Sequence, residues 1–312
     1  MGRPKITVVG AGNVGATCAL YAAQRDLADL VLVDVVEGLA EGKALDITQA
    51  GPILGSGARV TGTTGYGPTA GSDLAIVTAG LARKPGMSRD DLLARNAEIV
   101  GGVVRGLLRE SPGVILVIVS NPVDAMTALA HRVSGLEPRR VVGRAGVLDS
   151  ARMRAFVALE AGVSPRDVQA YVLGGHGDTM VPLVRHSSIA GVPLPQRLPK
   201  DRLERIVERT RNGGAEIVAL LKTGSAYYAP AAAAVEMAQA ILRDEHRVLP
   251  CAAWCDRQYG VGGYFVGVPA RLGAGGVEEV LEFDLSAEER AAFQASVEHV
   301  RGLVRQLERL KA

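Results

Sequence analysis

Ile6-Thr7-Val8-Val9-Gly10-Ala11-Gly12-Asn13-Val14-Gly15 is a β-branched run that breaks into three glycines and then opens a segment, Val14 to Arg25, with helical spacing. A strand, a glycine-rich turn and a helix in that order form the context a dinucleotide fingerprint requires. One glycine permits the tight turn, one lets backbone amides approach a pyrophosphate, and one lets helix and strand pack closely. The anion then rests at the positive end of the helix. Asp34 ends the next strand, 19 residues after Gly15. A carboxylate there accepts hydrogen bonds from a ribose 2′-hydroxyl and repels a 2′-phosphate, so the pattern favours NAD over NADP. The plain alternative is a glycine-rich connection followed by a solvated aspartate.

Outward from this turn, short apolar runs recur at 6–9, 30–33, 60–62, 74–78, 114–119 and 141–143. Most are apolar almost throughout, as strands buried on both faces are. Segments with helical periodicity lie between them at 14–25, 37–50, 90–108 and 123–133. This alternation predicts an α/β fold, a doubly wound parallel Rossmann sheet. After about residue 143 the pattern changes to helices at 150–161, 201–222, 230–242 and 286–310, with strand-like pieces at 168–173, 246–252 and 264–268. The expected division is a dinucleotide-binding domain over 1–143 and an α+β substrate domain over 144–312, packed together because no low-complexity linker separates them.

Composition narrows the class. With 312 residues, 48% hydrophobic, 22% charged and a net charge of +2, the chain is ordinary globular protein. Its basic residues form no run that would mark a nucleic-acid partner. Cys18, Cys251 and Cys255 match neither a disulfide framework nor a zinc site, and there is no HExxH, so no metal is expected and a cytoplasmic setting is simplest. Arg3 and Lys5 precede an uncharged stretch that superficially looks like a secretory signal, but Asn13 and the glycines interrupt it.

His176 lies in Gly174-Gly175-His176-Gly177-Asp178, where flanking glycines leave the imidazole little cover. Taken alone it is equally a loop residue. At this point the chain resembles the malate and lactate dehydrogenase family, from Ile6 to about Leu310. Leu148-Asp149-Ser150-Ala151-Arg152 is similar to the family's aspartate and substrate-binding arginine, Ser120-Asn121-Pro122 to its nicotinamide-side turn, and Gly175-His176-Gly177-Asp178 to its catalytic histidine. The stretch from Gly80 to Arg89 resembles the mobile loop that closes over substrate.

The resemblance implies reversible hydride transfer between a small 2-hydroxy acid and NAD. His176 would be the proton donor and acceptor, and Asp149 would orient the ring and favour its charged form. Arg152 would grip a carboxylate with its planar fork, and Arg89 would polarise the carbonyl. Asn121 would also meet substrate. Gly10, Ala11, Gly12, Asn13, Val14, Gly15, Asp34, Asn96, Val119, Ser120 and Asn121 would contact the cofactor. Arg83 stands where lactate-type members commonly carry Gln, which points to a second substrate carboxylate and hence to malate and oxaloacetate. The pattern is most similar to the lactate-dehydrogenase-like subgroup of malate dehydrogenases. By the same resemblance the protein would be a homodimer or homotetramer, with no membrane partner.

Overall fold

The computed structural model describes residues 2–81 and 89–309, with the backbone alone for Arg89. Six strands, β1 (Lys5–Val9), β2 (Asp29–Val33), β3 (Val60–Thr63), β4 (Leu74–Val77), β5 (Ile115–Ile118) and β6 (Val141–Gly143), pair in parallel in the order β3-β2-β1-β4-β5-β6. Between them run α1 (Asn13–Gln24), α2 (Leu39–Leu54), α3 (Arg89–Glu110) and α4 (Val123–Ser134).

Alternate strand residues feed two cores. Ile6, Val8, Leu30, Leu32, Leu74 and Ile76 face one, with Cys18, Ala22 and Ile47 of α1 and α2. Val9, Val31, Val33, Ala75 and Val77 face the other, with Leu93, Val100 and Leu107 of α3 and Met126 of α4. Both faces being covered explains why the runs read as continuous apolar stretches.

The second half contributes α5 (Ala145–Ala161), β7 (Val168–Gln169), β8 (Val172–Leu173), β9 (Val181–Pro182), β10 (Ser188–Ile189), β11 (Val192–Pro193), α6 (Leu194–Arg197), α7 (Lys200–Leu221), α8 (Tyr228–Leu242), β12 (Arg247–Cys255), β13 (Tyr264–Gly273), β14 (Gly276–Val280) and α9 (Ala287–Arg309). Strands β12, β13 and β14 do not build a sheet of their own. They extend the parallel sheet antiparallel to β6, through the pair Ala252–Gly143. A smaller core forms between α5, α7 and the short strands, around Met153, Val157, Val172, Met180 and Ile206. The apolar face of α8, readable from sequence as either interface or core, is core: Ala231, Ala234, Val235, Met237 and Ala238 are fully buried.

Two helix boundaries differ from the sequence expectation by a turn or more. Helix α2 runs on to Leu54 through Pro52, which lies in the last turn, where its missing N–H forfeits a single bond. Helix α5 begins at Ala145 instead of near Ser150, so Asp149 and Arg152 sit within it. Gly146 looks like a breaker but is a contact residue: a Cβ there would lie 2.5 Å from the Val172 carbonyl oxygen.

All three cysteines are buried and unpaired. Burial pushes the Cys18 and Cys255 thiols up to about 12 and raises Cys251 as well, so none is a ready nucleophile. Among the described residues no helix is long and apolar enough to cross a membrane.

Candidate active site

Strand order reverses between β1 and β4, and the crevice beyond their carboxyl ends is where an open α/β sheet takes its ligand. Gly10 has φ of +98° and donates its N–H to the Val33 carbonyl at 2.8 Å, closing the turn. A Cβ on Gly15 would sit 1.7 Å from the Gly10 carbonyl oxygen, so that glycine is dictated by packing. Thr78 Oγ1 donates to the carbonyls of Val9 and Gly10 at 3.1 and 2.9 Å, fixing β4 to the turn. Gly12 is the N-cap of α1, makes no side-chain cap, and a Cβ there would meet nothing within 4 Å. The first turn of α1 holds no acidic residue. These features suit a diphosphate set against the amides of Asn13, Val14 and Gly15. Asp34 accepts the Ala11 N–H at 2.6 Å through Oδ2 and the Val36 N–H at 3.0 Å through Oδ1, and a carboxylate so held keeps lone pairs for a ribose diol.

Farther along the crevice, Val119 donates its N–H to Val77 at 2.9 Å, and Ser120 Oγ donates to the Ala79 carbonyl at 2.6 Å. Asn121 precedes a cis proline, Pro122, and its side chain is exposed. Asn96 is buried, accepting the Leu81 N–H at 2.7 Å and donating to the Asn121 carbonyl at 2.8 Å. Both ends of its amide serve backbone groups, so Asn96 braces the two turns instead of presenting a free group.

Beyond the carboxyl end of β6, three expected residues meet. His176 Nδ1–H donates to Asp149 Oδ2 at 2.8 Å, and Arg152 Nη1 donates to Asp149 Oδ1 at 3.2 Å. Asp149 and Arg152 are thus an i, i+3 ion pair on α5. Burial pushes the Asp149 carboxyl up, but the His176 charge and hydrogen bond, aided by Arg144 and Arg152, win and hold it below the ordinary carboxylate range. Arg152 lies close against α7 at two glycines: a Cβ on Gly213 would sit a tight 3.2 Å from Arg152 Cδ, and one on Gly214 would make ordinary contact with its Nη2 at 3.4 Å.

The loop carrying His176 joins β8 to β9 and is pinned from three sides. Gly174 N–H donates to Gly267 O on β13 at 2.8 Å, Gly175 N–H to Ser296 Oγ on α9 at 2.8 Å, and His176 N–H to Asp124 Oδ2 on α4 at 2.9 Å. Gly174 (φ +84°) has its Cβ position 2.6 Å from Ser296 Oγ, so neither conformation nor space admits a side chain. The other histidines do packing or surface work. His131 lies against the Trp254 and Phe265 rings, and His186 stacks on Phe283.

Arg83 and the side chain of Arg89 lie outside the described residues, as does most of the stretch read as a closing loop.

Two buried charges beneath His176 escaped the sequence reading. Asp124 is 3% exposed with Oδ1 unpartnered among the described residues. Burial pushes its pKa from 3.8 to about 6. A folded-state value above the unfolded one stabilises most below the unfolded value, and that stability is lost as pH rises through about 6. The whole effect is on the order of 3 kcal/mol at most. Asp124→Asn is therefore expected to gain stability relative to the parent as pH is raised from 4 to 8, measured by urea unfolding. A difference that stays constant with pH would refute this. Arg144, the second such charge, is 2% exposed and presents Nη2 to His176 Nε2 at 3.5 Å.

A dinucleotide crevice that runs into a carboxylate-held histidine beside an arginine is the arrangement against which comparison with known proteins can be judged. Residues 4–143 match the model for the lactate/malate dehydrogenase NAD binding domain, and residues 146–309 match that for the lactate/malate dehydrogenase alpha/beta C-terminal domain. This chain belongs to the lactate/malate dehydrogenase family. A malate dehydrogenase from Rhodopirellula baltica is 56% identical over 314 residues, covering 100% of both chains. The solved malate dehydrogenase of Salinibacter ruber superimposes with a TM-score of 0.95 at 53% identity, over 98% of each chain. A lactate dehydrogenase from Cryptosporidium parvum, solved with lactic acid and nicotinamide adenine dinucleotide, gives 0.96 at 42% identity over 99% of each.

Within this lactate/malate dehydrogenase, NAD is the cofactor and the fold is the Rossmann domain followed by an α/β domain, as the sequence pattern implied. Asp124 and Arg144 went unread because a lone charge beside an apolar helix or strand carries no spacing signal. Their one trace is position: Asp124 two residues after Pro122, and Arg144 directly after the sixth apolar run.

Proposed function

We propose that this chain reversibly interconverts malate and oxaloacetate, with residues 1–143 holding the cofactor and 144–312 the substrate. The observation that carries the reading is the His176–Asp149–Arg152 constellation, in which one buried carboxylate bonds the imidazole at 2.8 Å and the guanidinium at 3.2 Å. NAD, when bound, supplies or accepts the hydride at the substrate's C2.

Asp149 accepts from Nδ1–H and so leaves Nε2 as the nitrogen that gives or takes the substrate's proton. Reduction uses the protonated ring and oxidation the neutral one, so the two directions respond oppositely to pH. Arg152 spends one nitrogen on Asp149 and keeps the rest of its fork for the substrate's C1 carboxylate, which sets C2 at the reacting position. Arg89 polarises the C2 carbonyl, and Asn121 and the turn from Val119 align substrate with cofactor.

Arg83 is the basis for malate over lactate. It meets the distal carboxylate, and pyruvate leaves it desolvated without a partner. Breaking a buried pair costs roughly 3–5 kcal/mol, about 150- to 5,000-fold. Arg83→Gln is expected to lower kcat/KM for oxaloacetate by that factor relative to pyruvate. Equal losses for both substrates sink the specificity argument. The reading as a whole is tested by initial rates with oxaloacetate and pyruvate, each with NADH and NADPH. Preference for pyruvate, or indifference between the two, overturns it.

Exposed apolar side chains on α1, α2, α5 and α7, among them Leu20, Leu45, Ile53, Leu159 and Leu220, support a homodimer or homotetramer. A cytoplasmic location accords with three reduced cysteines.

A further inference from the structure

Arg144 has no part in the roles assigned so far. It follows β6 directly, its backbone N–H is fixed to the Ile118 carbonyl at 2.9 Å, and its side chain is almost wholly enclosed. Nε and Nη1 have no hydrogen-bond partner among the described residues. Nη2 is directed at His176 Nε2, 3.5 Å away. Burial drags its pKa down to about 10 against the pull of Asp149 and Asp124, with Arg152 opposing them. Stability alone does not select a buried guanidinium with so many unmade bonds; such a group is costly until an acceptor joins it.

The charged and titratable groups around His176 define what that acceptor is. Asp149 and Arg152 approach from α5, Asp124 from α4 beneath the backbone, and Cys18 from α1 behind Arg144. Asp149 already holds Nδ1, so a protonated ring offers its remaining N–H from Nε2, beside the Arg144 Nη2 donor. Two donor nitrogens 3.5 Å apart, with no acceptor facing them among the described residues once the ring is protonated, can share one oxygen at ~2.9 Å from each.

We propose that Arg144 is a second donor to the substrate's C2 oxygen, hydrogen-bonding through Nη2 to the atom that His176 protonates. This rests on the malate reading above and deepens it. During reduction, as C2 gains the hydride that NADH would supply and its new C–H bond forms, the carbonyl π pair moves onto oxygen and the proton from His176 Nε2 follows. A guanidinium already placed at that oxygen stabilises the charge without reorganising. Because β6 fixes Arg144, this donor stands ready whatever the position of Arg89. It also makes the site select ligands that carry an oxygen on the carbon next to the gripped carboxylate.

The test uses two small dicarboxylates, hydroxymalonate and malonate, which differ only in the oxygen on the central carbon. Their binding to the full-length, NADH-saturated protein is measured by calorimetry for the parent, Arg144→Met and Arg144→Lys. Methionine fills similar space without charge or donors. In Arg144→Met hydroxymalonate is expected to lose at least about tenfold in affinity while malonate is unchanged, the scale of a lost charged hydrogen bond. Lysine keeps the charge without the fork, and the hydroxymalonate preference should fall by a smaller factor; if the methionine variant does not fold, this ratio decides alone. A preference unchanged in either folded variant, equal loss of both ligands, or a loss confined to NADH binding overturns the role of Arg144. A parent protein that takes up neither dicarboxylate overturns the malate reading and this proposal with it.

Discussion

His176→Ala is expected to lower kcat/KM in both directions by roughly a thousandfold, within the 10²- to 10⁴-fold range of a positioned acid–base group. The ring's Nδ1 is anchored, at 2.8 Å, to a buried carboxylate, which leaves Nε2 for the substrate's proton. Water replacing it has neither the acidity nor the fixed direction. The opposite pH trends of oxaloacetate reduction and malate oxidation should vanish together in the variant, because a single titrating group produces both. NADH binding, followed by fluorescence, should be nearly unaffected, since the glycine turn and Asp34 lie at the other end of the crevice. Activity that persists at the parent level, or pH trends that survive the substitution, would remove His176 from the chemistry.

The second large effect concerns two glycines that a motif search treats alike. In Gly15→Ala the new methyl carbon would stand 1.7 Å from the Gly10 carbonyl oxygen, so α1 or the turn must move. That displaces the amides meant for the diphosphate and strains the packing of α1 on β1. The expected stability loss is about 3 kcal/mol, at the upper end for an overpacked site, or a fall in Tm of roughly 6–12 °C. NADH affinity should drop below detection. Gly12→Ala adds its methyl where no protein atom lies within 4 Å, at φ of −64°. It should leave Tm within about 1 °C, as surface changes away from special features do, and still weaken NADH binding, because the carbon intrudes on the anion's approach. Differential scanning calorimetry paired with NADH titration separates the two. Equal Tm for both variants would mean that the close approach of α1 to the turn is unimportant.

The contrast between those glycines shows what a sequence discloses. The parallel strands inside the sheet were legible because they are buried on both faces, unlike edge strand β3, and Val9 and Val77 read as apolar whichever core they enter. The two-residue strands β7 to β11 were not, because a pair such as Val172–Leu173 is too short to display a period. The stretch 168–173 reads as one strand, yet its ends join different sheets. The pairing of Gly143 with Ala252 was equally hidden, since it joins residues far apart in the chain by backbone bonds that no side-chain pattern records.

At the site, His176, Asp149 and Arg152 were found through motifs, and the structure brings them together. Asp124 and Arg144 are isolated charges whose partners come from other elements, so only three-dimensional proximity discloses them. Asn96, expected at the cofactor, is buried with its amide bonded to backbone groups of Leu81 and Asn121, an arrangement that no sequence pattern announces.

The continuous nine-stranded sheet has a mechanical consequence. Cofactor turn and histidine loop are bolted to a single slab, so the halves of this enzyme cannot swing apart like jaws around the substrate. Opening a cleft between them would have to break the backbone pairing that joins β12 to β6.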